Sequence, residues 1–136
     1  MTTATATAAS LPPATVLIVD DAAPNRALLL LLLRDTPLRC MEADSGHAAL
    51  RIFREHPVDL ILMDVVMPDM DGTDTVRAMR EEERLLGRNP VPIVALTAHD
   101  RHEDLLRCTD AGCNGLLTKP ITRQDLMDTI AAHLAG

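Results

Sequence analysis

Residues 58–73 read VDLILMDVVMPDMDGT. Leu60-Ile61-Leu62-Met63 is a short, continuous apolar run, the pattern of a strand buried on both faces of a parallel sheet, and Asp64 follows it directly. That carboxylate is therefore expected at the strand's carboxyl end. In open α/β sheets the functional crevice lies there, and Pro68 and Gly72 mark a shaped loop rather than a continuing strand. An acid in this position can equally be a turn former or a helix cap. Asp64 gains meaning only from what other loops bring to the same edge.

Upstream, Val16-Leu17-Ile18-Val19 is a second buried strand, closed by Asp20-Asp21, and Pro24 suits the first turn of a helix running to about Asp35. Residues 38–43 make a weaker strand, Ser45-Gly46 a turn, and residues 48–55 a helix. Downstream, a charged helix over residues 74–86 turns Val76, Met79 and Leu86 inward and leaves residues 80–84 solvated. A fourth strand over 91–96 ends at Thr97, a helix over 101–111 stops at Gly112, and Leu116-Leu117 form a fifth strand ending at Lys119-Pro120. Thr122 can cap a last helix in which Leu126, Ile130 and Leu134 recur every fourth residue. Strands alternating with helices in this way build βαβ units with right-handed crossovers. The expected fold is α/β: a doubly wound (βα)5 domain with a five-stranded parallel sheet and helices on both faces. Residues 1–14 (MTTATATAASLPPA) read as a flexible N-terminal tail, leaving residues 15–136 as the domain.

A chain of 136 residues, 47% hydrophobic and 24% charged, is an ordinary single globular domain with room for a core. Its formal charge of -7 argues against direct binding of nucleic acid or anionic lipid, both of which need excess Lys and Arg. Cys40, Cys108 and Cys113 show neither a paired framework nor zinc-ligand spacing, so they read as small buried thiols suited to a reducing cytoplasm. The longest apolar run, residues 27–33, falls far short of the roughly 20 residues that cross a bilayer. No signal peptide precedes it, and a soluble cytoplasmic protein is expected.

The strand ends deliver Asp20, Asp21, Asp64, Thr97 and Lys119 to one crevice. Crowded carboxylates raise one another's pKa unless a cation compensates, and an all-oxygen site with room for water suits Mg²⁺ or Mn²⁺. The histidines are scattered, which argues against zinc. A divalent ion beside a carboxylate, with an ammonium opposite and a hydroxyl between, is the equipment of phosphoryl transfer. Asp64 is the natural nucleophile and an aspartyl phosphate the product.

The motifs LIVDD, LILMDVVMPDMDG, ALTAH and GLLTKPI, spread over residues 15–134, resemble the receiver domain of two-component response regulators. That resemblance implies a flavodoxin-like fold and phosphorylation of Asp64 by a sensor histidine kinase or a histidine phosphotransfer protein. It implies Mg²⁺ held by Asp20 and Asp21, with Asp21 and Asp64 as direct ligands and Val66 giving its backbone carbonyl. Thr97 would be the switch hydroxyl, Lys119 would bind the phosphoryl oxygens, and Lys119-Pro120 would be cis. Asn25 and ALTAH resemble receivers of hybrid kinases and phosphorelays. Val66 and His99, two residues after Asp64 and Thr97, would border the water that hydrolyses the phosphate. One departure stands out. The family usually places an aromatic residue three positions before the lysine, whereas this chain has Leu116, so the usual coupling of Thr97 to a moving ring is in doubt. Asp69-Met70-Asp71-Gly72-Thr73 also matches the DxDGT motif of haloacid-dehalogenase-like phosphatases, but Asp64 already occupies the strand end and too little chain follows. A phosphate-independent, receiver-like scaffold is the other alternative.

Six consecutive leucines, residues 28–33, lie on the first helix. At about 100° per residue, Leu28, Leu29, Leu32 and Leu33 share an arc that can dock on the sheet, while Leu30 and Leu31, with Ala27 and Arg34, point outward. This strip is expected to receive the phosphodonor, or a second copy of the chain as a homodimer. The downstream protein is unspecified. No effector segment follows residue 136, which fits either a stand-alone regulator or a receiver cut from a longer chain.

Overall fold

In the computed structural model, which describes residues 6–65, 71–98 and 102–134, the apolar runs become strands β1 (Ala14–Val19), β2 (Leu38–Ala43), β3 (Leu60–Asp64), β4 (Ile93–Thr97) and β5 (Gly115–Thr118). They form one parallel sheet in the order β2-β1-β3-β4-β5. Helices α1 (Ala23–Leu32), α2 (Gly46–Glu55), α3 (Gly72–Leu86), α4 (His102–Ala111) and α5 (Arg123–Leu134) alternate with them. Because successive strand side chains point to opposite faces, each continuous apolar run feeds two cores. Leu17, Val19, Ile61, Met63 and Ile93 pack under α2 and α3, whereas Val16, Ile18, Leu60, Leu62, Val94 and Leu96 pack under α1 and α5.

Local signals set several helix ends. Ser45 caps α2 by accepting the Ala48 N–H, and Asp71 caps α3 by accepting the Asp74 N–H. Gly87, at φ 65°, supplies the left-handed residue after α3. Helix α1 stops at Leu32, three residues short of the expected Asp35, which itself turns left-handed at φ 62°. There the Thr36 hydroxyl takes the Leu33 carbonyl that a longer helix would have used.

Three further readings are corrected. Residues 6–14 are not a loose tail. Leu11 is 3% exposed and packs with Val16, Leu29, Leu33 and Leu126, Ala8–Ser10 form a 3-10 turn, and β1 starts at Ala14. The Ala6 N–H donates to Asp128 Oδ1 and the Gln124 amide donates to the Ala6 carbonyl, fixing this segment along α5. In α3, Leu86 is 60% exposed while Glu83 is 3% exposed. Glu83 is buried because its carboxylate accepts both the Arg80 guanidinium (2.8 Å) and the Val91 N–H (2.7 Å), so its polar atoms are satisfied inside. On α1, Leu28 and Leu31 are the exposed leucines, at 52% and 53%, whereas Leu30 is half-buried and packs in the α1/α5 core. The buried arc of α1 therefore runs through Leu29 and Leu33, with Leu30 and Leu32 at its borders.

Candidate functional site

Strand register brings the expected residues together. Val19 pairs with Met63, which sets Asp20 beside Asp64 one step further on. Asp64 pairs with Leu96, and Thr97 pairs with Thr118, so Thr97 and Lys119 extend the same edge. The Lys119 N–H donates to the Thr97 carbonyl at 2.7 Å, and the Lys119-Pro120 peptide is cis. Lys119 Nζ lies 3.8 Å from Asp20 Oδ2 and 3.7 Å from Asp64 Oδ1. Asp20, Asp64 and Thr97 are buried; Asp21 is exposed at the mouth.

Position 72 lies so close to the end of β3 that only glycine fits there. A Cβ there would lie 2.3 Å from the Asp64 carbonyl oxygen and 2.6 Å from Val65 Cα. Gly72 also donates its N–H to the Val65 carbonyl, so α3 starts against the backbone that carries Asp64. The sequence showed a glycine in a loop; the close approach could be seen only after folding. Further contacts from α1 support Asp20. Asp20 Oδ1 accepts the Ala22 N–H at 2.9 Å and the Asn25 amide at 3.5 Å, and the Arg26 guanidinium donates to the Asp20 carbonyl at 2.7 Å. Arg26 also pairs with Glu42, so α1 and β2 hold the β1 end between them. An arginine one turn after an acidic strand end was the available signal.

One carboxylate oxygen per residue from Asp20, Asp21 and Asp64 falls within 4.8 Å of the others, and Asp20 Oδ2 is buried with no hydrogen-bond partner. A buried, unpartnered carboxylate oxygen costs energy unless a cation meets it. Asp20 and Asp64 share one ammonium at distances that exceed hydrogen-bond length. The donors are all hard oxygens, which suits a divalent cation of the magnesium class. The residues therefore fit a metal ion.

Thr97 sits at the β4 end, and Leu116 is half-buried against Val65, Ala95 and Cys108, so it occupies an apolar niche rather than the crevice. Val66 and His99 lie outside the described residues. Of the expected strip, Ala27, Leu31 and Arg34 are exposed, whereas Leu30 is half-buried against the core and Leu28 is exposed in its place. Leu28 also helps line a cavity of about 130 Å³ with Leu29, Leu32, Asp20, Lys119 and Ile121, so the α1 leucines border the acidic crevice directly.

A profile of the family described as response regulator receiver domain matches residues 16–131. The chain belongs to the response regulator receiver family. This receiver is 36% identical to the chemotaxis protein CheY of Pseudomonas aeruginosa over 116 residues, covering 85% of the chain and 91% of that protein. It is 39% identical to the sensor histidine kinase GacS of Pseudomonas protegens over 115 residues, again 85% of the chain. It spans only 12% of the length of that kinase. Among solved structures, Vibrio cholerae chemotaxis protein CheY4 superposes with a TM-score of 0.82 at 30% identity, covering 90% of this chain and 100% of that one. The co-crystal structure of the Saccharomyces cerevisiae histidine phosphotransfer protein Ypd1 and the receiver domain of its downstream response regulator Ssk1 matches with a TM-score of 0.83. There the identity is 34%, covering 88% of this chain and 87% of that one. Among the described residues, no helix is long and apolar enough to cross a membrane.

Proposed function

We propose that Asp64 accepts a phosphoryl group from a phosphohistidine on a sensor histidine kinase or histidine phosphotransfer protein, and that the domain catalyses this transfer itself. An Asp64 carboxylate oxygen forms the new O–P bond, the P–N bond to the donor imidazole breaks, and the released imidazole nitrogen takes a proton. Lys119 reaches both the Asp64 and the Asp20 carboxylates. Its Nζ, 3.7 Å from Asp64 Oδ1 and 3.8 Å from Asp20 Oδ2, is close enough to neutralise both yet bound tightly to neither, so it can move onto the incoming phosphoryl oxygens. This shared ammonium between two buried carboxylates is the observation that carries the reading.

Asp20, Asp21 and Asp64, with the Val66 carbonyl, would hold Mg²⁺, which when bound supplies charge neutralisation to the phosphoryl oxygens. The Thr97 hydroxyl donates to a phosphoryl oxygen as the switch. Leu116, an apolar side chain in an apolar niche, follows by repacking rather than by swinging a polar ring. Val66 and His99 are assigned to the hydrolysis step. Val66 cannot orient water, so the lifetime of the mark depends on the His99 imidazole. The relatives among kinases and the Ypd1 co-crystal support a relay role, and the greasy side of α1 beside the crevice supports delivery by a helical histidine protein, with a second copy of the chain as the competing occupant.

Incubation with Mg²⁺ and a small acyl phosphate, followed by intact mass, tests the reading. Wild-type protein is expected to gain one phosphoryl group without any kinase, and Asp64→Asn none while keeping its thermal stability, since the change removes repulsion between carboxylates. Uptake at the normal rate by Asp64→Asn overturns the assignment. Turnover without an adduct indicates a phosphatase, and no reaction at all indicates a scaffold.

A further inference from the structure

The end of α4 carries a feature that phosphoryl chemistry does not use. Gly112, at φ 113°, donates its N–H to the Thr109 carbonyl at 3.0 Å, and Cys113 donates its N–H to the Cys108 carbonyl, also at 3.0 Å. These two bonds complete a Schellman cap, in which residues 108 and 113 are the pair whose side chains meet. Here both are cysteines, and Cys113 packs against the small cluster that contains Cys108. The turn is held rigidly from outside. Arg80 Nε donates to the Gly112 carbonyl at 3.0 Å and Arg80 Nη2 to Asn114 Oδ1 at 2.7 Å, while a Cβ at position 112 would lie 2.8 Å from Arg80 Cγ. Cys40 packs with the α1/α5 core on the opposite face of the sheet and cannot reach either thiol.

We propose that Cys108 and Cys113 are a reversible redox pair, converted by peroxide into a disulfide that clasps the end of α4 to the start of β5. The half-buried Cys113 is the thiol an oxidant meets first, and the buried Cys108 resolves it. Cys113 sulfur attacks one peroxide oxygen to give a sulfenic acid and water. Cys108 sulfur then displaces the sulfenic oxygen as a second water, forming the S–S bond. Two hydrogens and two electrons leave the thiols, and one peroxide is reduced. The backbone already closes the loop between them, so little chain entropy opposes the bond. The consequence reaches the crevice, because Cys108 packs against Val65, next to Asp64, and against Ala95, and Leu116 lies on the same cluster.

The pair is a slow sensor. Burial, the neighbouring Cys108 and the contact between the thiols push the Cys113 thiol up to about 12, against the opposing pull of the Arg80 guanidinium. Only the thiolate attacks, so the rate of oxidation should rise about tenfold per pH unit across the neutral to mildly alkaline range. The whole chain, folded and untagged, is treated with hydrogen peroxide at several pH values, alkylated with N-ethylmaleimide and peptide-mapped. The expected product carries one alkylated thiol, Cys40, and a Cys108–Cys113 link that dithiothreitol reverses. Cys40→Ser should retain the link and Cys113→Ser should lose it. Wild-type mapping reports independently of whether the variants fold. Alkylation of all three thiols, over-oxidation of Cys113 without a link, a disulfide that includes Cys40, or a large fall in Tm on oxidation overturns the proposal.

Discussion

Asp71 shows how much one side chain holds at the entrance to α3. Its carboxylate accepts the Asp74 N–H and the Thr73 hydroxyl, and the Arg107 guanidinium lies 3.6 Å away. Burial pushes the carboxyl up, but these donors together with the Arg107 charge outweigh it and hold it below its ordinary value of 3.8. A carboxyl depressed by folding contributes stability that is present above its unfolded pKa and is lost as pH falls through the folded one. Asp71→Ala should therefore cost about 1 kcal/mol at neutral pH, as a lost N-cap does. In urea melts at several pH values, the gap between wild type and variant should stay constant down to about pH 4 and narrow below it. A gap that stays constant through acid would mean that the cap works without its charge.

At the scale of elements, the segment leading into β1 and the outer side of α1 make separate predictions. Leu11 is 3% exposed within the α1/α5 core, so Leu11→Ala should destabilise the domain by about 2–5 kcal/mol, read from the urea midpoint at unchanged slope. A cost below about 0.5 kcal/mol would show that the segment does not stay docked in solution. On α1, Leu28 and Leu31 stand exposed, Leu28 at the cavity that borders the crevice. Leu28→Glu with Leu31→Lys should slow phosphotransfer from a histidine protein by tenfold or more, about 1.4 kcal/mol of lost docking, and leave uptake from a small acyl phosphate unchanged. Equal slowing with both donors would place the effect in the crevice rather than in docking.

Across the whole molecule, the sheet concentrates negative charge at one edge of a chain already at formal -7. Relief of that local repulsion should appear as global stability, because a ligand that binds only the folded state stabilises it by mass action. Mg²⁺ at a hundredfold over its Kd should add about 2.7 kcal/mol and raise Tm by several degrees, and chelation should reverse the shift. Asp20→Asn should lose most of this response, since it removes charge from the carboxylate whose buried Oδ2 has no hydrogen-bond partner. An undiminished Mg²⁺ shift in that variant would remove Asp20 from the metal site.

What the chain determined unaided was the set of elements and the order in which loops reach the crevice. Short apolar runs such as residues 60–63, punctuated by Pro and Gly, encode strands locally, and strict alternation with helices forces a parallel sheet with every carboxyl end on one edge. Asp20, Asp64, Thr97 and Lys119 were therefore legible as neighbours before their distances were known. Tertiary packing decided what periodicity cannot encode, namely which side of each helix its neighbours cover. It turned Leu28 outward and Leu30 inward, drew Glu83 inside because Arg80 and Val91 satisfy it, and folded Leu11 into the core although its neighbours in sequence have little to bury. It also pressed position 72 against the Asp64 backbone, a contact that depends on chain directions meeting in space rather than on any local pattern.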